Sequence, residues 1–214
     1  QESIRFAYLS MGRLDALMHR YGPHSDRVEP LLKWDDSELR RVLDIAHEHY
    51  EEVTFYIFTD HGMHAVTDSY DLIADVEKLQ LQFGTDYAAF YDSTMARFWF
   101  LSDTARTTLT DMLSTNSQGR ILSDQELREL GVFFEDGQYG DLIFLMNSNT
   151  QIAPSFMGKK PVAGMHGFHP SDPDSRATIL GSKPLPQNLK SIEQIHSLMR
   201  ASLEPSEHSA QGDE

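Results

Sequence analysis

No cysteine occurs in this 214-residue chain. That absence removes disulfides, thiolate metal sites and cysteine nucleophiles together, so any metal must be held by His and carboxylates. Long apolar runs are lacking too: none approaches the length needed to cross a bilayer, and the first residues carry no basic-then-apolar leader pattern. Nothing about location follows, since the chain can be a processed fragment. Basic residues are few, 18 Lys and Arg against 33 Asp and Glu, for a formal charge of -15. This disfavours non-specific binding to nucleic acid or anionic membrane, which relies on clustered cations. An anionic substrate stays open, because bound divalent cations reverse the local field. What is present suits a folded domain: 40% hydrophobic and 24% charged residues, in a length that allows one sizeable core or a core with a small appended subdomain.

Along the chain, Ile4–Ser10 has the aromatic and apolar content of a short buried strand, running into a turn or short helix over Leu14–His19 that Gly22-Pro23 stops. Asp35, Asp36 and Ser37 offer cap chemistry for a helix reaching Glu51, with Leu39, Val42, Leu43, Ala46 and Tyr50 as its apolar stripe. Val53–Thr59 is a continuous apolar and β-branched run, the clearest strand of the sequence. Strand, helix, strand in that order suggests a parallel crossover unit in an α/β sheet. The pattern then changes. A helix is expected over Ser69–Phe83, strands over Tyr87–Tyr91 and Ala96–Leu101, helices over Asp103–Leu113 and Ser123–Leu130, and strands over Asp141–Met146 and Ala177–Leu180. An amphipathic helix over Ser191–Leu203 closes the fold, and the polar tail 204–214 is expected to be disordered.

Three short motifs carry candidate chemistry. Asp15 and His19, four apart after a strand, share one face of a helical turn and can reach one cation, although a surface Asp–His pair uses the same residues. Thr59-Asp60-His61-Gly62-Met63 stands at the C-terminal end of the strongest strand, the edge where parallel α/β sheets bind ligands; Gly62 lets the backbone turn sharply there. The plainer reading is a strand ended by a polar turn. Gly164-Met165-His166-Gly167 presents one imidazole between glycines, an arrangement that is more often structural. The remaining histidines (His24, His47, His49, His64, His169, His196 and His208) have weaker cases, and His47 and His49 fall on different helix faces.

Taken together, Leu14-Asp15-x3-His19-x-Tyr21-Gly22-Pro23, Thr59-Asp60-His61-Gly62-Met63 and Gly164-Met165-His166-Gly167 resemble the type I phosphodiesterase/nucleotide pyrophosphatase branch of the alkaline phosphatase superfamily. The likeness extends over most of the chain in order, spacing and strand context. It implies an α/β fold, a mainly parallel sheet flanked by helices, with a small α+β insert. Residues 1–68 and 141–203 would then belong to the catalytic domain, as the C-terminal half of it, and 69–140 to an inserted cap-like subdomain. Strands 4–10, 53–59 and 141–146 are accordingly expected in one mainly parallel sheet.

The resemblance also implies site residues. Asp15, His19 and His166 look like the three ligands of one metal, usually zinc, and Asp60 and His61 like half the ligands of a second. The other half, an upstream Asp and a Thr or Ser nucleophile, has no matching position here, so this chain is expected to need the N-terminal half of its own domain and to be inactive alone. For the whole enzyme the implied activity is two-metal hydrolysis of a small phosphate ester through a covalent phospho-enzyme. The alternatives are a non-catalytic metal-binding fragment and a phosphotransferase or mutase on the same scaffold. Phe90, Tyr91, Phe98, Trp99 and Phe100 are expected to form the insert's own core rather than a pocket for a leaving group.

Overall fold

The computed structural model describes residues 4–203; the expected disordered tail, 204–214, lies outside the described residues. In chain order the elements are helices α1 (Arg13–Tyr21) and α2 (Val28–His49), strands β1 (Tyr56–Phe58), β2 (His64–Ala65) and β3 (Asp68–Tyr70), and helix α3 (Leu72–Glu77). A hairpin of β4 (Tyr87–Tyr91) and β5 (Met95–Phe100) is followed by α4 (Asp103–Ser114), β6 (Gly119–Ile121), α5 (Asp124–Glu129) and β7 (Leu142–Met146). Strands β8 (Thr150–Ile152) and β9 (Gly164–Met165), a 3-10 turn at Pro173–Ser175, β10 (Ile179–Gly181) and helix α6 (Glu193–Ala201) complete it. Among the described residues, no helix is long and apolar enough to cross a membrane. Two compact units divide them: 4–12, 32–60 and 177–203 in the first, 13–31 and 61–176 in the second.

In the first unit, β1 pairs antiparallel with β10, Tyr56 opposite Gly181 and Phe58 opposite Ile179. Helix α2 starts earlier than expected because Pro30 falls in its first turn, where no intrahelical N–H is required. Asp36, expected as a cap, lies inside the helix and accepts a 2.9 Å hydrogen bond from Arg40 Nε. Ile4–Ser10 forms no ladder, and Ile4, Phe6, Tyr8 and Leu9 are exposed. Apolar composition signals a need for burial; a strand also needs a neighbour to take its N–H and C=O groups.

The second unit is built on a four-stranded antiparallel sheet in the order β4-β5-β7-β6. Every residue of β7 is buried, because the strand is covered on both faces. Leu142, Phe144 and Met146 pack with Phe98 and with Ala105, Leu109 and Leu113 of α4, whose four-residue spacing makes one helical stripe. Ile143 and Leu145 pack on the other face with Leu122 and Leu127. Ser102 and Ser123 cap α4 and α5 by accepting from the N–H groups of Ala105 and Glu126. The expected helix over Ser69–Phe83 is shortened at both ends. Strand β3 takes 68–70, Asp71 caps α3 through the N–H of Ala74, and Gln80 turns the chain at φ 57°.

The grouping of strands 4–10, 53–59 and 141–146 in one parallel sheet is therefore corrected. The segment 141–146 belongs to the antiparallel sheet as β7, 53–59 contributes only β1, and the parallel pairing among the described strands is that of β3 with β8. A continuous apolar run reports burial on two faces, and two layers of side chains bury β7 whichever way its neighbours run.

Phe98 is fully buried between β4 and β7 and should dominate the stability of this unit. Phe98→Ala is expected to cost about 3–5 kcal/mol, and Leu101→Ala, at a 55% exposed position, less than about 0.5 kcal/mol. Urea denaturation followed by circular dichroism distinguishes them; equal losses would show that the sheet is not the cooperative core.

Candidate metal centre

Helix α1 presents Asp15 and His19 one turn apart, so their side chains meet: His19 Nε2 lies 3.3 Å from Asp15 Oδ1. His166 follows directly on β9, and its Nε2 is 3.8 Å from the same oxygen. Donor atoms of all three lie within 4.8 Å of one another. Two ligands at about 2.0–2.2 Å from a tetrahedral cation stand about 3.3–3.6 Å apart, so the group matches such a site after small adjustments.

The backbone makes this convergence possible. Gly164 lies so close to α1 that a Cβ there would sit 2.5 Å from the carbonyl oxygen of Met18. The Ala163 N–H donates to the His19 carbonyl at 3.0 Å, lashing the helix to the loop that leads into β9. Across the same approach, His19 Nδ1 donates to the Gly164 carbonyl at 2.8 Å. That bond places a ring proton on Nδ1 and points Nε2 at Asp15, the orientation in which a metal-ligating imidazole is held.

Asp15 Oδ1, shielded from solvent, accepts no hydrogen bond. His19 Nε2, at 3.3 Å, stands beyond good hydrogen-bond distance from it. A buried acceptor left unmet costs about 1–3 kcal/mol, more when charged. A cation between them turns both atoms from a liability into ligands, so the residues fit a divalent metal.

His61 stands beside this group. Its ring stacks on that of His166 with centroids 3.7 Å apart, and His19 is 5.0 Å from His166 on the same measure. His61 Nδ1 donates to the Gly62 carbonyl at 2.9 Å. Gly62 fits only without a side chain, since a Cβ would lie 2.0 Å from the Asp174 carbonyl oxygen. Asp60 is exposed, two residues beyond the C-terminal end of β1. The structure thus gathers Asp15, His19 and His166, with His61 against them. Among the described residues, Asp60 and His61 are not part of a group of three or more with mutually close donor atoms. Sequence reasoning set His64 aside, yet it is fully buried; the available signal was an imidazole between Met63 and Ala65-Val66, in an otherwise apolar stretch.

A family model described as Type I phosphodiesterase / nucleotide pyrophosphatase matches residues 1–169. No curated protein matches the chain. Among solved structures, human ectonucleotide pyrophosphatase/phosphodiesterase 5 is similar with a TM-score of 0.63 at 15% identity, over 78% of this chain and 44% of that one. The murine protein in its inactive form with AMP gives a TM-score of 0.69 at 14% identity, over 88% of this chain and 51% of that one. Phosphonoacetate hydrolase from Sinorhizobium meliloti gives 0.62 at 15%, over 84% and 46%. At such identities the likeness shows the fold, and the expected alkaline phosphatase-like α/β class stands on it. The chain spans about half the length of these relatives.

The approach at Gly164 yields a direct test. Gly164→Ala should push α1 from β9, costing about 1–3 kcal/mol and weakening Co²⁺ binding. Gly158→Ala, where a Cβ meets nothing nearer than 3.8 Å, should change neither. Thermal unfolding with Co²⁺ titration reads both; Gly164→Ala binding Co²⁺ like the parent chain would rule out the close approach as the organiser of the group.

Proposed function

This chain belongs to the type I phosphodiesterase/nucleotide pyrophosphatase family, and on that premise we propose that it is part of a metal-dependent phosphoester hydrolase whose first metal is held by Asp15, His19 and His166. The observation that carries this reading is the convergence of Asp15 Oδ1 with His19 Nε2 and His166 Nε2 around one point. Imidazole and carboxylate donors suit zinc. When bound, the cation supplies Lewis acidity toward a phosphoryl oxygen. Asp15 and the two imidazoles hold and orient it, and the hydrogen bond from His19 to Gly164 fixes the ligand tautomer. Asp60 and His61 are the partial ligand set of a second cation, to be completed by an Asp and a Thr or Ser nucleophile on a further half of the domain.

Two findings support that further half. The chain spans about half the length of its structural relatives. The first unit also leaves large apolar side chains in solvent, among them Ile4, Phe6, Trp34, Val42, Ile45 and Leu180, more than isolated surface residues would account for. Residues 69–140, the proposed cap-like subdomain, supply β4, β5 and β6 of the four-stranded sheet. The substrate class is a small phosphate ester; the murine relative was crystallised with AMP, a compound of that class.

The chain by itself should bind one divalent metal tightly and hydrolyse phosphoesters negligibly. Removing a nucleophile from a covalent mechanism costs several orders of magnitude in rate, and two ligands leave a second cation mostly solvated. After chelator treatment, Zn²⁺ titration is expected to give one tight site per chain, weakened roughly 100-fold or more by His166→Ala, with no turnover of a p-nitrophenyl phosphodiester. Two tight metals per chain, or turnover that survives His166→Ala, would overturn this reading.

A further inference from the structure

Away from the first group, the described residues hold one more set of metal-ligating types with close donor atoms: His64, Asp172 and Asp174. Its chemistry differs from that of the first. His64 Nε2 bonds Ser175 Oγ at 2.9 Å, and Nδ1 bonds Asn149 Oδ1 at 3.4 Å. Asp172 accepts from Ser148 Oγ and from the Asp174 N–H. The Ser148 hydrogen bond first, then the Asp174 amide, hold its carboxyl below the usual carboxylate range. His64 and Asp172 already have hydrogen-bond partners in the protein, whereas Asp15 Oδ1 accepts no hydrogen bond. The set is a hydrogen-bonded post rather than a ligand cage.

His64 is wholly buried, and burying an imidazole is unfavourable unless both nitrogens are paired. An apolar ring would fill the space at less cost. The position of His64 suggests what the polar ring does. On β2 it lies opposite Met165 of β9, the residue before His166. Its ring packs on Phe168, two residues past His166, with centroids 4.5 Å apart. Through Nε2 it holds Ser175, whose carbonyl accepts the Gly62 N–H at 3.1 Å, and the Gly62 carbonyl in turn accepts from His61. One residue therefore ties the segment bearing His166 to the turn bearing His61.

We propose that His64 is a positioning residue that sets the spacing of His61 and His166 by joining β9 to the Gly62 turn through Ser175. The Nδ1–H donates to Asn149, and Nε2 accepts from the Ser175 hydroxyl. This fixes the ring plane, and with it the carbonyl that anchors Gly62. The proposal rests on the reading of His166 as a ligand, but the tie itself exists without metal.

The test therefore has a metal-free arm. In the chelator-treated 214-residue chain, His64→Phe keeps the ring against Phe168 and removes both polar bonds, Ser175→Ala removes only the hydroxyl, and His64→Gln keeps a polar atom able to reach Ser175. Amide exchange at Gly62 should speed at least about tenfold in His64→Phe and Ser175→Ala relative to Phe98 in the sheet core, with His64→Gln restoring most of the protection. Co²⁺ affinity should fall about 10–100-fold in the first two variants and recover in the third. Should His64→Phe fail to fold, Ser175→Ala carries the test alone. Gly62 protection and Co²⁺ affinity unchanged in Ser175→Ala would overturn the proposal, as would a second tight ion lost specifically on Asp172→Asn and Asp174→Asn. Absence of Co²⁺ binding by the parent chain would sink the ligand reading alone, since Gly62 exchange still decides the role of His64.

Discussion

Gly164 has no side chain, and the convergence of Asp15, His19 and His166 depends on the space this leaves. Helix α1 lies so near β9 that the Met18 carbonyl occupies the volume of a Cβ. At that distance the Gly164 carbonyl accepts a hydrogen bond from His19 Nδ1–H, which turns Nε2 toward Asp15. The same strand delivers His166 one residue after its end. Packing, ring orientation and donor spacing thus follow from one close backbone approach, which brings the donor atoms of Asp15, His19 and His166 within 4.8 Å of one another. Gly62 plays the same part for His61, admitting the Asp174 carbonyl where a methyl group would collide.

Much of the local structure was legible in the sequence for identifiable reasons. Ser102 and Ser123 announce helices because their hydroxyls satisfy the first free N–H groups, and α4 carries its apolar residues at four-residue spacing. The alternation of Tyr87–Tyr91 appears directly as a buried, half-buried pattern. Pairing was not legible. The run Leu142–Met146 is apolar because both faces are covered, and nothing in such a run encodes the direction of its neighbours. Ile4–Ser10 has strand-like composition without a ladder, since composition cannot report where a partner's carbonyls are. At the site, the resemblance carried by the three motifs pointed to Asp15, His19 and His166. The carbonyls of Gly164 and Ser175, which orient the imidazoles directly or through Gly62, are invisible to motif reading because every residue has one.

The two units differ in how completely they bury apolar surface. The second has layers on both sides of its sheet, with Phe98, Phe144, Leu109 and Ala105 fully buried. In the first, Ile195 is the buried hydrophobic residue of α6, while Leu32, Trp34, Val42 and Ile45 of α2 and residues 4–11 are exposed. Hydrophobic burial contributes about 25 cal/mol per Å², so a unit that leaves whole side chains uncovered holds little stability of its own. The chain spans about half the length of its structural relatives, and the imbalance supports the further half proposed above.

Charge sets the last constraint. With a formal charge of -15, the chain as a whole repels a phosphate ester. The gathered residues run against that trend, since the group holds one carboxylate, Asp15, and two imidazoles, His19 and His166, with His61 stacked on the latter. One carboxylate with neutral imidazoles leaves a bound divalent cation a net charge of +1, enough to reverse the sign of the field where an anionic group would approach. A ligand set of several carboxylates would hold the ion more strongly and cancel the attraction. In the proposed hydrolase, the preponderance of histidine is therefore what lets an acidic protein receive an anionic substrate.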